Sequence, residues 1–238
     1  MNMISVIAAS RRRGVPINLT SGLAHWWDLA ASAATETDLA GSVNVPRQGT
    51  VTTSASGAPD GGSCVDLGDG SGYYLTSVIA DLVDYASDWS ANIWSNVSSY
   101  SSTGNWIMNQ RENADARKFQ IRHNTNDSAV TIIRDGAFVS ATASSPGTAS
   151  WRMTSLVVRG GNIEHWANGS LIESIAFTGS TETGSARFAL GAASFADVNV
   201  NLRHRGLLFA AGMWSRALSS SEISALYNSG SGRRYASL

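Results

Sequence analysis

The residues able to do chemistry are few and scattered in this 238-residue chain. Its glutamates are Glu36, Glu112, Glu164, Glu173, Glu182 and Glu222, and no two lie within five residues of each other. No single strand can therefore set two side by side as nucleophile and acid/base for glycoside hydrolysis, although a pair could still meet in space. Glu222 already has a structural use, because Ser219 and Glu222 have capping-box spacing. His25, His123, His165 and His204 show no paired-ligand spacing for zinc and read as strand residues making ordinary hydrogen bonds. There is no Gly-x-Ser-x-Gly elbow to support a serine nucleophile. Cys64 is the lone cysteine, which rules out an intrachain disulfide and a cysteine-ligated metal. Gly68-Asp-Gly-Ser-Gly72 opens no helix and holds no lysine, so it reads as a tight strand connection and not a phosphate loop. Asp60, Asp66 and Asp69 in the same glycine-rich region are candidate calcium ligands; the competing reading is that Asp and Gly form turns.

Aromatic residues offer a second kind of site. Eight tryptophans are present, and Trp stacks on sugar faces and anchors interfaces. Trp26 and Trp27 are adjacent, so on a strand they point to opposite faces. One fills the core; the other needs a covering loop, a partner or a ligand. Trp106 follows the polar run 98–105, with Tyr100 nearby. Trp27, Tyr100 and Trp106 are therefore the candidate glycan-binding residues.

The elements that must position these residues are mostly strands. Alternating apolar patterns between Gly, Ser, Asn and Asp breaks predict thirteen: 23–29, 64–67, 73–77, 90–97, 106–109, 119–123, 130–134, 137–141, 152–158, 163–167, 171–177, 187–191 and 207–214. Asp135-Gly136 and Asn168-Gly169 predict two-residue hairpin turns. Residues 81–86 predict a helical turn. One helix is expected after Ser219, with Ile223, Leu226 and Tyr227 as its apolar stripe and Gly230 as its stop. This pattern argues for an all-β, two-sheet antiparallel jelly-roll sandwich with one short C-terminal helix. Residues 1–20, with Arg11, Arg12, Arg13 and Pro16, read as an extended N-terminal arm, and residues 21–238 as one domain. Met3–Ala9 is short and is followed by the arginines, so the start does not read as a secretion signal. No apolar run approaches the ~20 residues of a membrane span. A formal net charge of −1 gives no pull toward nucleic acid.

Several segments fall in an order that resembles LamG-like domains of the concanavalin A-like lectin/glucanase superfamily. Gly22-Leu-Ala-His-Trp-Trp-Asp28 resembles the family's opening strand. Cys64-Val-Asp-Leu-Gly-Asp-Gly-Ser-Gly-Tyr-Tyr74 resembles its apolar-x-Phe/Leu-Asp-Gly segment, and Trp89-Ser-Ala-Asn-Ile-Trp94 its Phe-Thr-Ile-Ser-Ala-Trp strand. Trp151-Arg-Met-Thr-Ser-Leu-Val-Val-Arg-Gly160 and Ile163-Glu-His-Trp-Ala-Asn-Gly-Ser-Leu-Ile172 are similar to its later hairpin. Gly206–Asn228 resembles its closing strand and helix. Arg152-Met153 replaces the family's double histidine. Asp38-Leu-Ala-Gly-Ser-Val-Asn44 replaces its Asp-Ser-Ser-Gly-Asn-x-Gly loop, which weakens any carry-over of a calcium site. Glucanases of the superfamily carry a clustered Glu-x-Asp-x-Glu strand that is missing here.

The resemblance implies a fold whose usual work is binding. Together with the lack of a catalytic strand, of disulfides and of an export signal, it leads to the expectation of a non-enzymatic virion structural protein. Such a protein would be a capsid decoration or tail-associated chain, docked on a major capsid or tail protein through residues 1–20 and Arg11–Arg13, and would adhere to host-surface glycans. The alternatives are a free extracellular carbohydrate-binding module and, after it, a glycoside hydrolase. No cofactor is expected, calcium aside, and homo-oligomerisation stays open. Arg203, Arg205, Arg233 and Arg234 are further candidates for contacts with a neighbouring subunit.

Overall fold

The computed structural model describes residues 17–100, 104–111, 117–134, 137–177, 184–194 and 202–238. Two antiparallel sheets pack face to face. The first runs β14 (Ser170–Ala176), β13 (Asn162–Ala167), β12 (Trp151–Arg159), β7 (Trp89–Val97), β16 (Gly206–Trp214), β5 (Cys64–Asp66) and β4 (Thr52–Ser54). Its β1 (Leu23–Trp27) shares the free edge of β16 with β5. The division falls beside Ala210, whose φ of 42° marks the irregularity in β16. The second sheet runs β11 (Ala137–Ser144), β10 (Asp127–Arg134), β9 (Arg117–His123), β8 (Asn105–Arg111), β15 (Ala186–Leu190), β6 (Gly72–Ile79), β3 (Val45–Gly49) and β2 (Thr35–Glu36). At one side the sheet edges meet, and the Glu173 carboxylate of β14 accepts from the Thr142 N–H of β11. That contact satisfies an edge donor which would otherwise be open to another strand.

All thirteen expected strands are present. β2, β3 and β4 were not expected, because they are short, hold Pro46 or threonine, and bury only Glu36 and Val45. Asn168 and Gly169 sit at φ 51° and 81°, as a two-residue hairpin requires. Asp135 and Gly136 lie outside the described residues, although Arg134 pairs with Ala137 on either side of them. Residues 81–86 form no helix; a turn closed by Ser87 N–H to Asp84 C=O stands there.

Between the sheets lies one core, built on Trp27, Trp89, Tyr74, Phe119 and Phe188. A second core covers the outer face of the first sheet. It joins Trp26, Trp94, Trp166, Phe209 and Trp214 to Leu19, to the helix α1 (Ser220–Tyr227) and to Leu238. The helix starts at the Ser219–Glu222 capping box and buries Ile223 and Leu226. Tyr227 stacks on Trp94 at 5.6 Å. Asn228, in the left-handed region at φ 49°, ends the helix two residues before the expected Gly230. Leu19 is buried and its carbonyl accepts from Trp214 Nε1 at 2.8 Å, so the end of the expected arm is part of the fold. Arg11, Arg12 and Arg13 lie outside the described residues.

Candidate functional site

The described glutamates are each committed. Glu222 binds Arg216 at 2.6 Å in addition to its cap, and these contacts, Arg216 first, hold it down at about 2. Glu164 accepts from Trp166 Nε1 at 2.8 Å and faces Arg159. Glu173 caps β11. Glu36 accepts from the Leu29 N–H at 2.9 Å; burial, with Asp28 adding its charge, pushes it up to about 7. Asp28 and Glu36 share a cleft of about 230 Å³, but Asp28 is occupied by Trp26 Nε1 at 2.6 Å and the Tyr235 N–H at 2.9 Å. Glu112 and Glu182 lie outside the described residues.

The histidines build no catalytic array. His25 contacts Asp38 at 2.6 Å, and its other nitrogen meets the Leu82 carbonyl at 2.9 Å instead of a hydroxyl. Burial opposes the charge of Asp38. The His25 hydrogen bond and the amides of Trp26, Gly41 and Val43 outweigh it and bring the carboxyl to about 2. This one side chain therefore organises the 38–44 loop. Ser95 and His123 meet at 3.1 Å, yet both are buried between the sheets.

Two of the three aromatic candidates are buried. Trp27 has no exposed surface; it stacks on Phe188 at 4.8 Å and its Nε1 donates to the Val43 carbonyl. Its neighbour Trp26 is covered by the second core, edge-on to Trp214 at 6.1 Å, so neither ring awaits a ligand. Trp106 is 6% exposed, because β8 lies between β9 and β15 with cover on both faces. Tyr100 is half-buried, and its hydroxyl meets Ser145 Oγ at 2.6 Å.

The layer order decides where a ligand can approach. Two sheet faces meet in the inter-sheet core, and the helix and the chain ends cover a third. The outer face of the second sheet is half-buried at its margins and buried at its centre. Tyr74 lies in the core, so Tyr73 takes this outer face, where Arg203 stands over its ring at 4.7 Å. Arg203 is tied to the Gly70 carbonyl at 3.2 Å. Leu75, Ala189, Asn109 and Gln120 form a row across β6, β15, β8 and β9. Asn109 holds the segment after β15: its Nδ2 donates to the Ala192 carbonyl and its Oδ1 accepts from the Ser194 N–H. Half-buried Arg122, Arg187 and Gln48 flank this row. With Asn109 and Gln120 buried, the margins of the face carry an aromatic ring and cations, groups suited to hydroxylated ligands.

Comparison with known proteins settles the family. The family model for the concanavalin A-like lectin/glucanases superfamily matches residues 68–224, more than half of the chain. The chain belongs to this superfamily. No curated protein matches it. Among solved structures it is similar to the binding domain of botulinum neurotoxin DC in complex with rat synaptotagmin II. The identity there is 15% and the TM-score 0.66, covering 92% of this chain and 53% of that one. It is also similar to domain 4 of a GH43 extracellular arabinanase from Geobacillus stearothermophilus in complex with arabinotriose. The identity is 16% and the TM-score 0.63, covering 85% of this chain and 97% of that one. The chain spans about half the length of the neurotoxin structures it matches. At these identities the likeness concerns the fold.

In this superfamily member the remaining candidates serve structure. Asp60 forms a two-point ion pair with Arg234, with contacts of 2.6 and 3.2 Å. Asp66 accepts from the Gly68 N–H in its own turn. Asp69 is exposed. Among the described residues no three carboxylate, histidine or cysteine side chains come together around a metal position. Arg233 donates to the Ala225 carbonyl at the helix end, and Arg234 also covers the Phe209 ring. These two strap the C-terminus onto its own domain. Sequence reasoning missed Tyr73, although the adjacent pair Tyr73-Tyr74 carries the same face-splitting signal as Trp26-Trp27.

Proposed function

We propose that this chain is a non-catalytic glycan-binding module whose ligand lies on the outer face of the second sheet. The observation that carries the reading is the layer order: helix and termini cover the first sheet, while the second presents Tyr73, Gln48, Arg187 and Arg122 outward. The full-length likeness to an arabinanase domain in complex with arabinotriose supports a sugar ligand. So does the commitment of every described glutamate to a structural contact. Tyr100, at the mouth of the 145–147 turn, is a second stacking position. A panel of neutral oligosaccharides, arabinan fragments included, tests the reading by titration calorimetry. Tyr73→Ala should weaken binding roughly tenfold, the worth of one aromatic stacking contact. Binding unchanged in both Tyr73→Ala and Tyr100→Ala refutes this placement.

We further propose that the module is carried on a larger assembly, a virion shell or tail foremost, through residues 1–16. Leu19 packs in the second core, on the side away from the outer face of the second sheet. A tether there leaves the glycan face presented outward. Quantitative mass spectrometry of purified particles tests this: a copy number near that of a shell protein supports it, and absence from particles refutes it.

A further inference from the structure

The cleft beside β2 sets two carboxylates together without a counter-charge. Asp28, just after β1, and Glu36, on β2, face a space of about 230 Å³ walled by Ala30, Ala31, Ala33 and Leu39. Each acid spends one oxygen on the fold. Asp28 Oδ1 takes both the Trp26 and the Tyr235 donors, and Glu36 Oε1 takes the Leu29 N–H. Asp28 Oδ2 and Glu36 Oε2 have no hydrogen-bond partner among the described residues. Neither acid has an ion-pair partner among those residues. Glu36 is only 7% exposed, and what stays open of it lines the cleft. Arg47, on the neighbouring β3, is held by the Ser32 carbonyl at 3.0 Å. The Tyr74 hydroxyl, buried without a partner among the described residues, feels the Glu36 charge. Burial, with the Asp28 charge added, holds Glu36 up at about 7, and no basic group offsets it.

Buried charge is stable when it is paired, so the missing partner is a cation. Calcium needs roughly six to eight oxygens, and no third carboxylate, histidine or cysteine among the described residues joins these two. An ammonium group has three donors, and two open carboxylate oxygens suit it. The cleft also adjoins the glycan face. Val45 is in the core, so Pro46 and Gln48 of β3 take the outer face. Gln48 stands opposite Tyr73, and Pro46 opposite Thr35 of β2, which lines the cleft. Tyr73 and the cleft are thus two strand spacings apart, on the order of 10 Å. We propose that the cleft holds the ammonium group of an amino sugar, in a glycan that runs on over Gln48 to Tyr73. Leu39, 40% exposed, and the alanine methyls give the sugar ring an apolar wall. This rests on the glycan reading above and narrows it to a substrate class.

The test is fluorescence anisotropy with end-labelled oligomers of glucosamine, N-acetylglucosamine and glucose, of matched linkage and length, at neutral pH and at low and physiological salt. Acetylation removes the charge and keeps the ring. The expected result is binding of the glucosamine oligomer at least tenfold tighter than the other two and weakened by salt. Glu36→Gln and Asp28→Asn keep the carbonyl oxygens that Leu29, Trp26 and Tyr235 use. Each should weaken the glucosamine oligomer roughly tenfold and leave the other two unchanged, with circular dichroism confirming the fold. Glu173→Gln, which removes the same charge at the opposite edge of the sandwich, should change nothing. Equal binding of the three oligomers, with Glu36→Gln silent, overturns the ammonium site and leaves the glycan reading standing. Hexalysine bound as tightly as the glucosamine oligomer overturns the sugar and makes the cleft a docking point for a basic peptide. Binding of none of the oligomers also overturns it, and the neutral panel then decides the broader reading separately.

Discussion

Acid should destabilise this domain before most of its carboxylates protonate. At one end of the inter-sheet core the interior turns polar. Ser95, His123, Ser128, Arg152, Thr154 and His165 are all buried there, and His204 is buried ahead of β16. His123 meets Ser95, His165 meets Ser128 at 3.4 Å, and Arg152 donates to the Ser144 carbonyl. Burial pushes His165 and His204 down to about 4, with the Arg152 charge adding to the effect on His165. Burial first, then Arg152 and the other two rings, also holds His123 well below its ordinary value. Unfolded, each ring titrates near 6.5. Below that pH the unfolded chain takes up protons that the folded chain refuses. Stability is therefore complete above about 6.5 and is lost as pH falls toward 4.

Each ring moved from 6.5 to about 4 corresponds to roughly 3 kcal/mol at the acid end of that window. Glu36 works the other way: its folded value near 7 lies above its unfolded one, so its contribution is present below about 4.5 and lost as pH rises through 7. On acidification it returns roughly 3 kcal/mol. Two rings against one carboxyl leave a net loss of roughly 3 kcal/mol, which His123 enlarges. That is a large share of a typical stability of about 5–15 kcal/mol. Urea unfolding followed by tryptophan fluorescence should show the midpoint falling by roughly 1 M or more between pH ~7 and ~4.5. His165→Gln and His204→Gln should each flatten that fall, and Glu36→Gln should steepen it. A wild-type midpoint independent of pH in this window, or histidine variants that match the wild type, would refute the reasoning.

Gly212 should tolerate no side chain, because a Cβ there would lie 2.6 Å from the Trp26 ring and 2.9 Å from Trp214; Gly212→Ala should cost roughly 1–3 kcal/mol by calorimetry. Asp38→Ala removes the acceptor of the Trp26, Gly41 and Val43 amides. It should cost roughly 3 kcal/mol and raise hydrogen exchange at those amides. Ser219→Ala breaks the capping box and should cost about 1 kcal/mol in urea titration. Calcium should leave the melting temperature unchanged with and without a chelator, since Asp60 and Asp66 are occupied; a rise on adding calcium would restore Asp66 and Asp69 as ligands.

The strands were legible where apolar residues alternate between turn formers, as in β10–β11 and β13–β14. They were illegible where pairing depends on remote partners: Val45 is the one apolar core residue of β3, which is held by β6. The second core was hidden for a similar reason. Trp26 demanded cover, but its cover comes from Leu19, Ile223 and Leu238, at opposite ends of the chain. The same distance explains the aromatic candidates. Residue type told that Trp27 and Trp106 were able to stack on a sugar; only sheet order told that both are enclosed. Tyr73 shows the converse. β6, β15 and β8, far apart in sequence, build one face beside it only because β15, arriving late, inserts between β6 and β8. In a two-sheet sandwich the binding face is set by which strands end up adjacent and which face lacks cover. The chemistry of individual residues then decides what that face can hold.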